Sequence, residues 1–135
     1  FPLLFAVQLT SEPVIKGRIS IHFSGIKTWK GDIHINLFNK EKGFPDAEKF
    51  AFKTYQIKVR EGNDIFQIID LPYGEYAISC YHDINKNRIL DTNFFGIPKE
   101  KVGTSNNPSS GVIPDYQDAK FVLSKNDLNL FIELH

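Results

Sequence analysis

The chain has 135 residues, the length of one ordinary domain and enough to bury a hydrophobic core. Its 16 basic and 16 acidic residues give a formal net charge of zero, which argues against a nucleic acid or an anionic membrane held by bulk charge. A single cysteine excludes an internal disulfide, and we expect no transmembrane segment because the apolar runs are too short to span a bilayer.

The N-terminal residues 1–13 are predicted to form an extension that precedes the main domain. They contain the apolar run FPLLFAV, which has two interpretations: the remnant of a signal peptide, or a first edge strand. The sequence contains no methionine, so we expect its start to be processed or truncated. No internal repeat or linker divides the remainder, and residues 14–135 are therefore predicted to form a single domain.

Regular alternation of apolar and polar residues predicts strands rather than helices through this domain. Turn-forming residues at 61–64 predict a hairpin between the strands on either side, and those at 125–127 predict a second hairpin. The seven predicted strands are 14–23, Asp32–Phe38, 54–60, 65–70, 75–82, 119–123 and 128–135.

The strand at residues 75–82 has no clearly polar face, which is typical of a strand at the centre of a sheet or between two layers. The pattern as a whole predicts an all-β fold, an antiparallel seven-stranded β-sandwich of the immunoglobulin or transthyretin kind. One long ordered loop, residues 83–118, is expected before the last two strands, with its apolar side chains docked on the sandwich. These are Phe94, Phe95, Ile97, Val102, Val112 and Ile113.

Three single residues have competing interpretations. Cys80 in the central strand is interpreted as a small buried hydrophobe rather than as a reactive thiol beside His82. His22 and His34 belong to the outward sets of two strands, where they are either solvated or, if those strands pair, a transition-metal site. Asp46 is expected to cap a helical turn within residues 47–52. For the cysteine and for both histidines we favour the structural interpretation.

Oxygen-bearing side chains recur at alternate positions directly after the central strand. Calcium takes six to eight oxygen ligands, and a loop that offers them at positions one, three, five, seven and nine can wrap around the ion. The spacing therefore predicts a calcium site. Its candidate ligands are Asp83, Asn85, Asn87, the backbone carbonyl of Ile89, and Asp91.

This loop departs from the standard calcium-binding pattern at two positions. Arg88 occupies the sixth position, where a glycine normally makes the sharp turn, and Phe94 occupies the twelfth, where a glutamate belongs. Asp115 or Asp118 is a candidate for the missing carboxylate. The alternative is that Asp and Asn cluster here because they stabilise turns by bonding backbone amides. If calcium binds, we expect a low affinity, with a dissociation constant of ~10⁻⁴ to 10⁻³ M.

The run YHDINKNRILDTNFFGIPKEKVGTSNN, residues 81–107, resembles the hallmark of an exported bacterial family catalogued as domain of unknown function 2141. The likeness also includes Gly43-Phe44-Pro45 and residues 71–76, with Lys86 and Arg88 where the family tends to have glycines. It implies a small exported sandwich, located in the periplasm, on the outer surface or outside the cell. The motif positions matched here are Asp83, Asn85, Asn87, Asp91, Asn93, Ser105, Asn106 and Asn107.

Three functions are compatible with these features. The favoured one is a non-enzymatic exported binding or structural module, with a calcium-stabilised loop and an unknown protein or glycan partner. The second is a hydrolase-like enzyme that uses His82 and Asp83, although the sequence has no nucleophile elbow and no phosphate-binding glycine loop. The third is a carrier of a small apolar ligand, suggested by the 12 phenylalanines, which are more simply core residues. For Ser105, Asn106 and Asn107 we favour side-chain bonds to the backbone over ion binding.

Overall fold

The computed structural model describes residues 13–91, 100–109 and 113–135, and in this part of the chain the fold is all-β with almost no helix. A 3-10 helix, Glu48–Phe50, and an α-helix, α1 (Tyr116–Ala119), are the helical elements described. Neither is long or apolar enough to cross a membrane. The strands are β1 (Lys16–Ser24), β2 (Asp32–Phe38), β3 (Lys53–Lys58), β4 (Ile65–Pro72), β5 (Gly74–Asp83), β6 (Val102–Thr104), β7 (Phe121–Leu123) and β8 (Asp127–Glu133).

The strands form two sheets, which we call sheet A and sheet B. Sheet A has the order β4-β1-β8, and sheet B has the order β3-β2-β5-β6 with β7 also paired to β5. The all-β prediction is therefore confirmed, with eight strands rather than seven in the described residues. The immunoglobulin or transthyretin topology stays a prediction. One pairing is parallel, between β1 and β8, so the prediction of a wholly antiparallel fold was wrong.

Both predicted hairpins were wrong, although the strands themselves are present. β3 pairs with β2 and β4 pairs with β1, so the chain crosses from one sheet to the other between them. Likewise, β7 pairs with β5 whereas β8 pairs with β1. The inner faces of β3 and β4 meet across the core instead, where the rings of Tyr55 and Phe66 pack edge to face at 5.6 Å. Turn residues mark where a chain reverses, but they do not determine which strand it joins.

The main hydrophobic core lies between the sheets and draws side chains from both. A second apolar cluster covers the outer face of sheet B, where Phe38 and Ala77 pack against Tyr116 and Ala119. β2 is buried along its whole length and β5 from Tyr76 to Asp83, and the outer faces of both strands carry buried polar residues beyond this cluster. The central position predicted for the strand at 75–82 is thus confirmed. The main core comprises Ile19, Ile21, Phe23, Ile33, Ile35, Leu37, Val59, Ile68, Leu71, Tyr76, Ile78, Cys80, Leu123, Ile132 and Leu134.

The segment 83–118 was predicted as one long loop, but it contains β6 and α1. β6 closes one side of the molecule, because Val102 and His135 exchange two backbone hydrogen bonds of 3.0 and 3.1 Å. Asn107 continues this closure: its amide donates to the carbonyl of Phe131 at 2.7 Å, and its oxygen accepts the N–H of Glu133 at 2.8 Å. The side-chain-to-backbone bonding predicted for residues 105–107 is confirmed.

The apolar side chains expected to dock from this segment are only partly described. Phe94, Phe95, Ile97 and Val112 lie outside the described residues, and Ile113 is 82% exposed rather than docked. Within residues 47–52 the 3-10 helix forms as predicted, but Asp46 does not cap it, because Ala47 is the residue that precedes the helix. The N-terminal extension also falls almost entirely outside the described residues, so its boundary at residue 13 stays a prediction.

Candidate functional site

The site is built around Asp83, the last residue of β5. Strand alternation places Asp83 and Tyr81 on the outer face of sheet B, and the register sets Asp83 opposite Asp32. The side chain of Asp83 is completely buried. Its two carboxylate oxygens accept the backbone N–H groups of Asn87, at 3.2 Å, and Arg88, at 2.7 Å. These bonds fold the loop back onto the end of the strand.

The predicted ligand side chains beyond Asp83 converge on one another. The amide nitrogens of Asn85 and Asn87 both donate to the carboxylate of Asp91 at 2.9 Å. Their amide oxygens accept backbone N–H groups within the loop, from Asn87 at 3.3 Å and from Ile89 at 3.0 Å. The loop is thus held by the turn chemistry that was the alternative to ion binding. Ion binding would use the same residues, but the side-chain amides of Asn85 and Asn87 would turn their oxygens, rather than their nitrogens, toward the carboxylate of Asp91.

The backbone of the loop turns through left-handed conformation at two non-glycine residues. Lys86 has a φ of 56° and Arg88 has a φ of 61°. This region favours glycine, because a side chain there crowds the following carbonyl. Arg88 stands at the sixth position of the calcium-loop pattern, so the backbone adopts the conformation that the missing glycine would supply. The sequence shows that Arg88 stands where the pattern has a glycine, but only the structure shows that the turn still forms.

A third carboxylate reaches the loop from Glu100. Its two oxygens accept the N–H of Ile84 at 3.0 Å and the N–H of Asp91 at 3.1 Å. Partial burial raises the pKa of Glu100 above its usual range, the two backbone hydrogen bonds oppose this rise, and the carboxylates of Asp83 and Asp91 add a smaller increase. Sequence reasoning missed this residue, although it lies within the family-like run. Asp115, one of the two candidates named for the role, instead caps α1 by accepting the N–H of Asp118.

Tyr81 and His34 lie beside this group on the outer face of sheet B. Their rings stack at 4.8 Å, and His34 Nε2 lies 3.4 Å from Asp83 Oδ2 without a hydrogen bond. Burial raises the pKa of Tyr81 to about 12, and the negative charges of Asp83, Glu48, Glu100 and Asp91 add to the effect. The region is therefore acidic. Across the described residues, however, no three acidic, histidine or cysteine side chains already form a metal-ligating cluster.

The predicted histidine pair does not form. His22 lies on β1 in sheet A, where it stacks on Phe131 at 4.7 Å and contacts Asn129 Oδ1 at 3.0 Å. His34 lies on β2 in sheet B and is only 8% exposed. The two strands belong to different sheets, so the alternative of a transition-metal site, which was not the favoured interpretation, is excluded. The expectation that His34 is solvated was also wrong, because its ring stacks on Tyr81 and lies beside the buried Asp83.

The histidine next to Asp83 in sequence is also separated from it. His82 is completely buried and faces the core, with Nε2 2.6 Å from the carbonyl oxygen of Lys30. Asp83 faces the opposite side of the same strand. The pair named for a hydrolase therefore does not assemble. Cys80 is buried as expected and its thiol contacts the carbonyl oxygen of Gly103 at 3.4 Å.

Together the fold and the site define a small all-β protein of two sheets with one acidic, asparagine-rich loop. Residues 21–130 match a bacterial family, DUF2141, described as an uncharacterized protein conserved in bacteria. That match covers most of the chain, so the protein belongs to this family, as residues 81–107 indicated. No curated protein and no solved structure matches the chain.

Proposed function

We propose that this protein is a non-enzymatic binding or structural module that acts outside the cytoplasm and carries one calcium ion in its Asp/Asn loop. The observation that carries the proposal is the convergence of Asn85 and Asn87 on the carboxylate of Asp91, in a short loop that begins at the buried Asp83 and is bonded by Glu100. Calcium relieves repulsion between carboxylates and is satisfied by oxygen ligands alone. The proposed ligands are Asp83, Asn85, Asn87, the carbonyl of Ile89, and Asp91, with Glu100 completing the charge.

Ion binding requires the side chains of Asn85 and Asn87 to turn their oxygens, rather than their nitrogens, toward Asp91. The ion thus competes with hydrogen bonds already present in the loop, which lowers its affinity. We expect a dissociation constant of ~10⁻⁴ to 10⁻³ M, the range of extracellular calcium modules. Such an affinity is compatible with the proposed location in the periplasm, on the outer surface or in the medium.

The non-enzymatic part of the proposal is supported by the separation of His82 and Asp83 onto opposite faces of β5. A binding role is supported by two apolar side chains on the acidic loop, Ile84 at 42% and Ile89 at 65% exposed. Isoleucine offers apolar area without hydrogen bonds, so a protein partner fits this surface better than a glycan. In this proposal calcium orders the loop that the partner contacts.

The test is the melting temperature in calcium and in chelator. With calcium at about 10 mM and the expected affinity, binding to the native state alone stabilises the fold by roughly 1.4 to 2.7 kcal/mol. For a domain of this size the midpoint should rise by about 4 to 11 °C. Replacing one ligand by Asp91→Asn should abolish most of this shift.

The matched control is Asp70→Asn, which removes an exposed carboxylate on β4 in sheet A and should leave the calcium response intact. An unchanged wild-type midpoint at millimolar calcium would show that the loop is held by turn chemistry alone. The export part is tested separately, by fractionating the bacterial cells that produce the protein. Recovery in the cytosolic fraction alone would contradict it.

A further inference from the structure

β3 and β4 are edge strands, each paired on one side in the part of the chain that the structure describes. The free side of an edge strand exposes N–H and C=O groups to which another strand can bond, and lysines in the strand discourage such pairing. β3 begins and ends with a lysine, Lys53 and Lys58. β4 contains no lysine, so it is the less protected of these two edges.

The backbone groups on the free side of β4 belong to alternate residues. The N–H of Phe23 donates to the carbonyl oxygen of Asp64 at 2.8 Å, so residue 64 faces β1. Residues that bond the neighbouring strand alternate in an antiparallel pair, so the next two even-numbered residues also face β1. The N–H and C=O groups of Ile65 and Gln67 therefore point away from β1, toward the free edge.

The side chains of β4 divide between the core and the outer face of sheet A. Ile68 is 1% exposed and Phe66 packs against the main core. Ile65 and Ile69 are 48% and 62% exposed, and alternation places them on the outer face with Gln67 between them. A strand added beside β4 would therefore bond the free backbone groups and cover both exposed isoleucines.

An aspartate lies at each end of this edge. Residues 65–69 carry no charge, Asp64 precedes them and Asp70 follows them. Both aspartates are exposed, and neither forms an ion pair within the described residues. Asp70 has a φ of 54° and lies where the register between β1 and β4 shifts. Because such a bulge bends the strand, pairing with an added strand should end there.

Neighbouring basic residues leave the two ends acidic. Arg60 lies in the turn before β4, where Glu61 and the aspartate at residue 64 outnumber it. Arg18 lies opposite the bulge and is already paired with Asp127. Lys16 lies beyond the bulge, at the end of the pairing between β1 and β4. The edge is thus apolar and neutral in the middle with a negative charge at either end.

The two aspartates also disfavour pairing of this edge with a second copy of the chain. The two-fold antiparallel register that sets Ile65 of one copy opposite Ile69 of the other is centred on Gln67. The same register sets Asp64 of each copy opposite Asp70 of the other. Like charges that lie directly opposite each other destabilise a strand pair, whereas opposite charges stabilise it. Charge complementarity therefore favours a different chain with basic residues at these positions.

We propose that the β4 edge binds an extended segment of another protein, which adds to sheet A as a fourth strand antiparallel to β4. The segment has β-branched or apolar residues in the middle and a basic residue at each end, which meet Asp64 and Asp70. Strand addition of this kind takes its affinity from main-chain bonds and its selectivity from side chains. The edge shares no residue with the Asp/Asn loop, so this inference does not depend on calcium.

The probe is the acetylated and amidated peptide Lys-Val-Thr-Thr-Thr-Val-Lys, whose central threonine lies opposite Gln67 in the proposed register. It is titrated to about 5 mM into the full chain and followed by amide chemical shifts in NMR spectra. We expect saturable shifts at Ile65, Gln67 and Ile69, with the same affinity in calcium and in chelator. The peptide with glutamate at both ends should bind about tenfold more weakly.

Two controls test whether the peptide binds through its main chain. The peptide N-methylated at both valines and at the central threonine lacks the N–H groups that face β4, so it should not bind. Gln67→Pro removes the outward N–H of β4 without removing a bond to β1, and it should abolish binding. Gln67→Thr keeps that N–H and should bind the peptide as the wild type does. The amide spectra of both variants report whether the fold is kept.

The charge argument is tested by combining Asp64→Asn with Asp70→Asn, which should remove the preference for lysine over glutamate at the peptide ends. The proposal is overturned if the lysine peptide causes no shifts along β4, or if the N-methylated peptide binds wild type as tightly. An unchanged preference in the doubly substituted protein also overturns it. So does a wild-type dimer in sedimentation that Gln67→Pro dissociates, because the occupant of the edge would then be a second copy.

Discussion

Arg88 combines an unfavourable backbone conformation with a hydrogen bond that holds it in place. Its φ of 61° lies in the left-handed region, which costs an ordinary L-residue roughly 1 to 2 kcal/mol. The conformation persists because Asp83, fixed at the end of β5, accepts the N–H of Arg88 at 2.7 Å. One charge-assisted hydrogen bond therefore holds a backbone turn that the residue itself disfavours.

Replacing this residue by glycine should stabilise the protein. Arg88→Gly removes the left-handed strain but makes the unfolded chain more flexible, so we expect a net gain of about 0.5 to 1 kcal/mol in the free energy of unfolding. Urea denaturation measures it. The control is Ile89→Gly, at the next position, which has no positive φ and should destabilise instead. Equal losses in both variants would contradict the strain argument.

Adjacent residues in this site have unrelated roles, which sequence reasoning could anticipate only in part. Alternation along a strand already implies that His82 and Asp83 face opposite ways. It does not reveal that both faces of β5 are covered, and this is why His34 is buried against Tyr81 rather than solvated. Glu100 was missed for a similar reason, because nothing local indicates that it folds back over Ile84 and Asp91.

At the scale of elements, β6 is the strand that sequence reasoning overlooked. It is three residues long, too short to display a period, and Gly103 at its centre contributes no side chain to a pattern. The glycine is required by packing. A Cβ atom there would lie 2.8 Å from Ile132 Cγ2 and 2.9 Å from the carbonyl oxygen of Glu133, both on β8. The close approach of β6 to β8 seals this side of the molecule.

Gly103→Ala should therefore weaken the packing of β6 against β8. The added methyl group must displace β8, and we expect a loss of about 1 to 3 kcal/mol in the free energy of unfolding. Faster hydrogen exchange should appear at Val102 and His135, whose amides make the closing bonds. Gly62→Ala is the contrasting variant, because its space is open but its φ is 81°, so only backbone strain is added. Hydrogen exchange at Val102 and His135 should be unaffected in that variant.

Strand pairing shows the limit of local patterns at this scale. Seven strands were recognised from alternation, yet both hairpins drawn from their turns were wrong and the parallel pairing of β1 with β8 was unforeseen. An exposed bidentate ion pair between Arg18 and Asp127 lies at the start of that parallel pairing. Such a contact joins residues that are far apart in the chain, so no window of sequence contains it.

At the scale of the whole molecule, Cys80 reports on global unfolding. It lies in the central strand of sheet B, 4% exposed, and burial raises the pKa of its thiol to about 12. A raised pKa means that the native state holds the thiol proton more tightly than the unfolded chain does. The resulting stability is complete below the ordinary value of 9.0 and declines as the pH rises above it.

A thiol reagent should accordingly modify this cysteine only through the unfolded state. At a pH of about 8 we expect labelling of the native protein to be slower than labelling in denaturant by a factor that equals the unfolding equilibrium constant. The free energy from labelling should then agree with that from urea denaturation. Rapid labelling in native buffer would show that β5 opens locally and that its central position does not protect it.

The sequence by itself determined that the protein is all-β, where most strands lie, that residues 75–82 form a central strand, and which residues make the Asp/Asn loop. These properties follow from local periods, turn chemistry and the family-like run, all of which are recorded within short windows. Only the tertiary structure decided which strands pair, that β2 and most of β5 are buried on both faces, and that Glu100 accepts the backbone N–H groups of Ile84 and Asp91. Each of those depends on contacts between distant segments, and packing in the whole molecule chooses among pairings that the local pattern leaves equally possible.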